Sequence, residues 1–411
     1  MKSTIRLQLS AMMFLEFFIW GAWYVTMGTY LDKVLHASGV QVGAAYSAMA
    51  IATIISPFFV GMIADRFFSA QKVLGVLHLV GAALLYYITT IGSADGFYWI
   101  LLLYSLMYAP TLALANSVAF RQMEDPGKEF PGIRVLGTIG WIVVGLMIDK
   151  VFMIKTEDLA LTFKIAATAS AVLGLMSFFL PQTPPKAKGT KASFAQILGS
   201  DSFILFKDKS FVVFFIASIL ICIPLSFYYS LTNLYLTDAG MQNVTSSMTM
   251  GQFSEALCIL LIPFFFRRLG VKWMIVVGMA AWTLRFLCFG FGDAGPGLWM
   301  FYAGIILHGV CFDFFFVTGQ IYTESKAGLK IQSQAQGIIT MATYGIGMFI
   351  GTLLSGLVKD HYTVDTIVHW RSIWMVPAGI AAAVLVLFVI FFTDNKKRRY
   401  TRKDEKNISK Q

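Results

Sequence analysis

The sequence predicts an all-α membrane protein, with twelve transmembrane helices arranged in two halves of six. Only 13% of its 411 residues are charged, about half of the ~25% that is usual in a soluble domain. Twelve apolar runs each approach the ~20 residues that a helix needs to cross a bilayer. One polar, proline-rich and basic linker separates the first six runs from the second six.

The linker sets the predicted division of the chain. Residues 1–181 are predicted to form the N-terminal six-helix bundle, and residues 211–393 the C-terminal one. Residues 182–210 between them form a cytoplasmic linker in this prediction, and residues 394–411 form a basic cytoplasmic tail.

Basic residues are distributed unevenly between the two sides of the predicted bundle. If both termini are cytoplasmic, the inner segments hold about four times as many Lys and Arg residues as the outer ones. This asymmetry predicts a multi-pass membrane protein with both termini in the cytoplasm. We therefore interpret the net charge of +10 as a signal that sets the membrane topology and as a source of contacts with lipid. We expect no nucleic acid partner.

No pattern typical of an enzyme is found in the sequence. It contains no nucleotide-binding loop, no catalytic triad pattern and no metal-ligand spacing. Its four cysteines, Cys222, Cys258, Cys288 and Cys311, all lie within apolar runs. We therefore expect no catalytic residues, no metal and no cofactor.

Asp313 is the acidic residue around which the functional prediction is built. It lies in the apolar run from Leu298 to Tyr322, where a charge costs roughly 2.5–3.5 kcal/mol on insertion scales. That cost predicts that Asp313 faces protein or water, where it takes up and releases a proton. A structural aspartate, hydrogen-bonded to a neighbouring helix, is the alternative.

Two sets of motifs carry a resemblance to known transporters. Gly61–Lys72 resembles the G-x-x-x-D-R-x-x-x-x-x-K loop between helices two and three of major facilitator transporters. More narrowly, the chain is similar to the bacterial nucleoside:proton symporters of that superfamily, at Phe17–Trp23, Pro131–Gly140, Ile262–Phe265, Ala281–Phe286, Phe312–Phe315 and Ser333–Gly337. The resemblance implies a major facilitator fold and proton-coupled uptake of a nucleoside across the bacterial inner membrane. We expect the protein to act as a monomer.

The resemblance also implies a set of binding residues. Substrate contacts are expected from Arg134, Thr138, Trp141, Ser226, Tyr229, Gln252, Glu255, His308 and Phe312, and proton coupling from Asp313 and Glu255. Trp141 and His308 depart from the family, which usually has Phe and Tyr at these positions. Ser226 and Tyr229 stand where the family has another polar pair.

Several of these residues, and the function itself, allow a second interpretation. Arg134 fits a helix-end side chain that reaches the cytoplasmic surface, and His308 fits a structural histidine bonded to the backbone. Arg285 fits a salt bridge with Glu255, while Glu16 fits either a second proton carrier or a partner of Arg134. A sugar or oligosaccharide symporter of the same superfamily, or a transport-inactive nucleoside sensor, is the competing function.

Overall fold

The structure is a computed structural model that describes residues 1–59, 68–124, 126–184, 200–327 and 331–393. The Gly61–Arg66 part of the predicted signature loop, most of the predicted linker and the whole predicted tail lie outside these residues.

The described residues of the first half are mostly helical. Its helices are α1 (Ser3–Tyr24), α2 (Met27–Lys33), α3 (Gly39–Phe59), α4 (Ala70–Ile88), α5 (Ala94–Phe120), α6 (Pro126–Leu146) and α7 (Ala160–Ser177). A π-helical turn at Met147–Val151 and a 3-10 turn at Thr156–Asp158 connect α6 to α7. Helices α1 and α2 together form one candidate membrane span, Ser3–Lys33.

The second half begins with a 3-10 helix, Ser200–Lys207. Its α-helices are α8 (Lys209–Asp238), α9 (Val244–Phe291), α10 (Leu298–Phe312), α11 (Thr318–Ala327), α12 (Gln332–Thr340), α13 (Met348–His361) and α14 (Trp370–Phe391). π-Helical turns at Asp313–Val317 and Met341–Gly347 join α10 to α11 and α12 to α13. Strands β1 (Thr363–Val364) and β2 (Ile367–Val368) form a small antiparallel hairpin before α14.

Helix α9 contains two crossings rather than one. Its 48 residues would extend about 70 Å if straight, over twice the ~30 Å apolar core of a bilayer. The helical conformation breaks at Gly270, where φ is 68° and ψ is −179°. A positive φ of this kind favours glycine, because it has no Cβ.

Contacts with α10 show that the chain reverses at Gly270. Before Gly270, Gly251 packs on His308 and Ser254 packs on Gly309. The residue numbers of α9 and α10 increase in the same direction here, so the two helices are parallel. After Gly270, Gly278 packs on Phe315 and Phe289 on Gly304, so the numbers run in opposite directions. Residues 244–269 and 271–291 are therefore two antiparallel helices. With α9 split, the eleven candidate spans of the described residues become twelve, and the predicted fold class is confirmed.

Each half is built around its own hydrophobic core. One cluster of buried side chains draws its members from Leu9 to Leu180, and the other draws all but Ala50 from Leu205 to Phe392. Large apolar side chains such as Phe179 and Leu260 are mostly exposed, as expected for helices that face lipid tails. The two halves can therefore move relative to each other without unpacking either core.

Polar contacts join the two halves on the side opposite the termini. Lys359 pairs with Asp32 at 2.7 Å, Lys33 pairs with Asp238 at 2.7 Å, and Asp149 accepts from the Ser246 amide at 2.6 Å. Asp360 accepts from the amides of Gly39 and Val40 at the start of α3. Gly43 lets α3 approach α13, because a Cβ there would lie 2.3 Å from the Thr352 carbonyl oxygen. The protein is thus closed on this side.

Candidate functional site

A cavity lies where α1, α6, α8 and the first segment of α9 meet, between the two halves. It is lined by Gly21, Val25, Trp141, Gly145, Tyr228, Tyr229, Thr245, Met248, Thr249 and Gln252. Three of the predicted binding residues, Trp141, Tyr229 and Gln252, are among them. Its walls therefore combine large aromatic faces with hydroxyl and amide groups.

The N-terminal half contributes one face of α6 to the site. Arg134, Thr138 and Trp141 stand at i, i+4 and i+7 in this helix, a spacing that aligns side chains. The Arg134 guanidinium lies 3.9 Å from the centre of the Phe17 ring, and the Trp141 ring packs edge-on against Trp20. Arg134 is thus held against α1 by a cation–π contact and does not pair with Glu16.

Gln252 and Glu255 form the matching face of α9. They stand at i and i+3 in its first segment, so they point in similar directions. Glu255 keeps 20% of its side chain exposed, whereas Gln252 lines the cavity directly. The amide and the carboxylate can therefore both meet a polar ligand from the C-terminal half.

Two rings of α10 lie behind this face. The His308 ring stacks on Tyr228, with ring centres 5.3 Å apart, and contacts Phe312 at 5.5 Å. His308 is only 2% exposed, and its Nε2 lies 3.8 Å from Glu255 Oε2. His308 therefore does not line the cavity itself, but it stacks on Tyr228, which does.

Arg285 contacts His308 and does not form the salt bridge with Glu255 that was one of the alternatives. Its Nη1 lies 3.1 Å from His308 Nδ1, and its guanidinium covers the Tyr228 ring at 3.4 Å. Arg285 is fully buried. The imidazole of His308 therefore lies between Arg285 and the carboxyl of Glu255.

Asp313 begins the π-helical turn that follows α10. The residue is fully buried, and neither of its carboxyl oxygens has a hydrogen-bonding partner among the described residues. The Ile259 backbone of α9 nevertheless interacts with this carboxyl, so a structural role of Asp313 on the neighbouring helix stays the alternative to proton coupling. π-Helical turns inside α-helices are frequent at functional sites.

The two predicted residues of α8 point in different directions. Tyr229 lines the cavity and packs against Tyr24 of the other half, with ring centres 5.6 Å apart. Ser226 is fully buried and donates its hydroxyl to the Cys222 carbonyl, 2.8 Å away. The same hydroxyl contacts Met348 of α13, so Ser226 packs within the C-terminal half.

A buried polar network in the N-terminal half was missed by sequence reasoning. Glu16 lies 2.9 Å from His78 Nε2 and accepts from the Thr111 hydroxyl at 2.5 Å. His78 also contacts Ser170, and Tyr108 donates to the Glu16 carbonyl oxygen. A histidine in the middle of an apolar run is as unusual as Asp313, and that signal could have identified His78.

Two six-helix halves that enclose a polar cavity in a membrane-spanning bundle define a transporter of the major facilitator type. The profile of the nucleoside H⁺ symporter family matches residues 1–397, and the chain belongs to this family.

Individual relatives of the chain support this family assignment. The chain is 43% identical over 407 residues to YegT of Escherichia coli (strain K12), covering 96% of this chain and 95% of that protein. It is 34% identical over 407 residues to the xanthosine permease of the same organism, covering 95% and 97%. The crystal structure of nucleoside transporter NupG superposes with a TM-score of 0.86 at 32% identity, covering 95% of this chain and 99% of that one.

Proposed function

We propose that this protein is a monomeric symporter that carries nucleosides into the cell with protons across the bacterial inner membrane. Both termini face the cytoplasm in this proposal, as the distribution of Lys and Arg residues indicates. Family membership supports the pairing of nucleoside with proton. The observation that carries the proposal is the cavity between the halves, with aromatic, hydroxyl and amide groups on its walls.

The cavity chemistry suits a nucleoside, which joins a flat base to a sugar rich in hydroxyls. Trp141 and Tyr229 offer ring faces from the two halves, and offset stacking on such faces is favourable for a planar base. The Gln252 amide both donates and accepts hydrogen bonds, as the edge of a base requires. Glu255 accepts hydrogen bonds from sugar hydroxyls when it is ionised.

Asp313 supplies the proton site in this mechanism. A carboxylate ion without hydrogen bonds is costly in a buried position, and binding a proton removes that cost. Asp313 would hold a proton in the occluded protein and release it when its surroundings open to the cytoplasm. Glu255, which interacts electrostatically with Asp313, would couple this proton to the occupancy of the cavity.

Alternating exposure of the cavity follows from rocking of the two halves. The contacts of Asp32, Asp360 and Asp149 close the side that we assign to the cell exterior. Uptake would need these contacts to break so that substrate can enter, and to form again before it is released inside.

Uptake into liposomes tests the proposal. Purified protein is reconstituted, and accumulation of labelled uridine, adenosine and xanthosine is measured with and without an inward proton gradient, beside a panel of sugars. We expect nucleosides to accumulate only with the gradient, and an uncoupling ionophore to abolish accumulation. Accumulation of a sugar but of no nucleoside would contradict the substrate class, and gradient-independent accumulation would contradict proton coupling.

A further inference from the structure

Arg285 is a buried charge that the transport mechanism above does not use. It lies in the second segment of α9 and is fully buried, and it makes no ion pair with the described residues. An uncompensated buried charge is strongly destabilising, so the groups that contact the guanidinium should be those that balance it. They are the Tyr228 ring at 3.4 Å, His308 Nδ1 at 3.1 Å, the Phe289 ring at 5.7 Å and the Cys311 thiol.

The contact with Arg285 determines which nitrogen of His308 carries hydrogen. A guanidinium has five N–H donors and no acceptor, so His308 Nδ1 must accept in this contact. In a neutral imidazole one nitrogen accepts and the other donates. Nε2 therefore carries the hydrogen, and it is the nitrogen that lies 3.8 Å from Glu255 Oε2.

We propose that Arg285 is a positioning residue, which holds His308 as a hydrogen-bond donor directed at Glu255. The 3.8 Å separation exceeds a hydrogen bond in this conformation, and a small movement of either side chain would close it. The charge of Arg285 then acts on Glu255 through a neutral ring. This inference rests on the proposed function only where it assigns Glu255 to the substrate and proton sites.

The indirect contact fits a carboxyl group that must change its protonation state. A direct pair with arginine would strongly favour the ionised form of Glu255. An intervening imidazole stabilises the ion less and leaves protonation accessible. Once the separation closes to a hydrogen bond, the donor at Nε2 would also orient Glu255 Oε2 and leave Oε1 available to a ligand in the cavity.

Other ionisable groups also interact electrostatically with Glu255. Arg134 of α6 acts on it from the N-terminal half, and Asp313 acts from the end of α10. The tyrosines Tyr228, Tyr229 and Tyr344 and the thiol of Cys258 complete the set. Arg285 differs from Arg134 because His308 lies between Arg285 and Glu255.

The hydrogen position can be measured without any transport assay. In protein labelled with ¹⁵N at its five histidines, NMR shifts separate a protonated ring nitrogen from an unprotonated one, and His308→Tyr identifies the His308 signals. We expect a single neutral form of His308, with hydrogen on Nε2 and none on Nδ1. In Arg285→Met, both neutral forms should appear. Hydrogen on Nδ1 in the unmodified protein would overturn the inference.

A double-mutant cycle tests the consequence for binding. Arg285→Met should weaken nucleoside affinity at least about tenfold, the size expected for losing a charge-assisted contact. In a His308→Tyr background, the phenol hydroxyl can itself donate to Glu255, so Arg285→Met should change affinity less than about twofold. A purely structural Arg285 would instead give the same loss in both backgrounds, since independent effects add.

Control variants separate this role from general damage. Arg371→Met makes the same chemical change at an exposed arginine that also covers an aromatic ring, Phe291 at 4.5 Å. If Arg285→Met does not fold, Arg285→Lys serves as the second variant because it keeps the charge. We expect Arg285→Lys to retain only part of the affinity, because lysine lacks the planar fork of the guanidinium. Absence of nucleoside binding in the unmodified protein would contradict the proposed function, while the tautomer measurement would still test the role of Arg285.

Discussion

Asp313 stands apart from the other acids of the bundle because its buried carboxyl has no hydrogen-bonding partner among the described residues. We expect Asp313→Asn to abolish gradient-driven accumulation, since an amide cannot carry a proton. Nucleoside binding and exchange should survive in part, because Asp313 does not line the cavity. Liposome uptake with and without a proton gradient measures both properties.

Asp158→Asn is the matched control for this change. Asp158 is exposed in the 3-10 turn before α7, so its loss should leave accumulation unchanged. If Asp313→Asn accumulates substrate as well as the unmodified protein does, Asp313 has no part in coupling.

Gln252 and Glu255 are expected to contribute directly to affinity. Gln252→Ala and Glu255→Ala should each weaken nucleoside binding by about 1–3 kcal/mol, the cost of leaving a buried polar partner unsatisfied. Calorimetry on variants with unchanged melting temperatures measures the loss. Unchanged affinity in both variants would remove this face of α9 from the binding site.

Individual site residues differed in how far the sequence could predict them. Trp141 and Gln252 were predicted through the resemblance, and the structure places both at the cavity. The contact between Arg285 and His308 could not be predicted, because it depends on the register of α9 against α10. Similarly, nothing in the local sequence distinguishes Ser226, which packs on Met348, from Tyr229, which faces the cavity.

At the scale of helices, the Glu16 network joins four elements of the N-terminal half. Glu16 of α1, His78 of α4, Thr111 of α5 and Ser170 of α7 are all buried and connected. Glu16→Ala would remove one hydrogen-bonding partner from His78 and one from Thr111, at a cost of about 1–3 kcal/mol for a buried polar group left unsatisfied. We expect a clearly lower melting temperature in detergent.

Glu16→Gln provides the comparison for that prediction. Its amide oxygen can accept from Thr111 and its amide nitrogen can donate to His78, so most of the stability should return. Uptake in Glu16→Gln should stay close to that of the unmodified protein if the network is structural. Loss of accumulation with normal stability would instead identify Glu16 as a second proton carrier.

The sequence predicted helices well and their irregularities poorly. Apolar runs of bilayer length defined the spans, including the two that Gly270 separates within α9. The π-helical turns at Asp313–Val317 and Met341–Gly347 could not be predicted, because one extra residue per turn does not interrupt an apolar run. The turn at Asp313 nevertheless affects which face of the helix the acid occupies.

For the whole molecule, separate cores allow the halves to rock, and polar contacts decide which side is closed. Lys359 is central to this closure, since it is 5% exposed and lies 2.7 Å from Asp32 of the other half. Its α13 neighbour Asp360 binds the amides that begin α3. Closure therefore depends on a few residues at the ends of α2, α3 and α13.

Lys359→Gln should weaken the closed state without unfolding either half. Removing a charged hydrogen bond costs about 1–3 kcal/mol, and only conformations that contain the bond lose it. Hydrogen–deuterium exchange should therefore rise in residues 39–43 and 352–361, while the amides of both cores keep their protection. Lys155→Gln, at an exposed lysine on the same side, should change neither region. If exchange rises equally across all helices, the variant has lost stability as a whole and Lys359 does not act as a contact of the closed state.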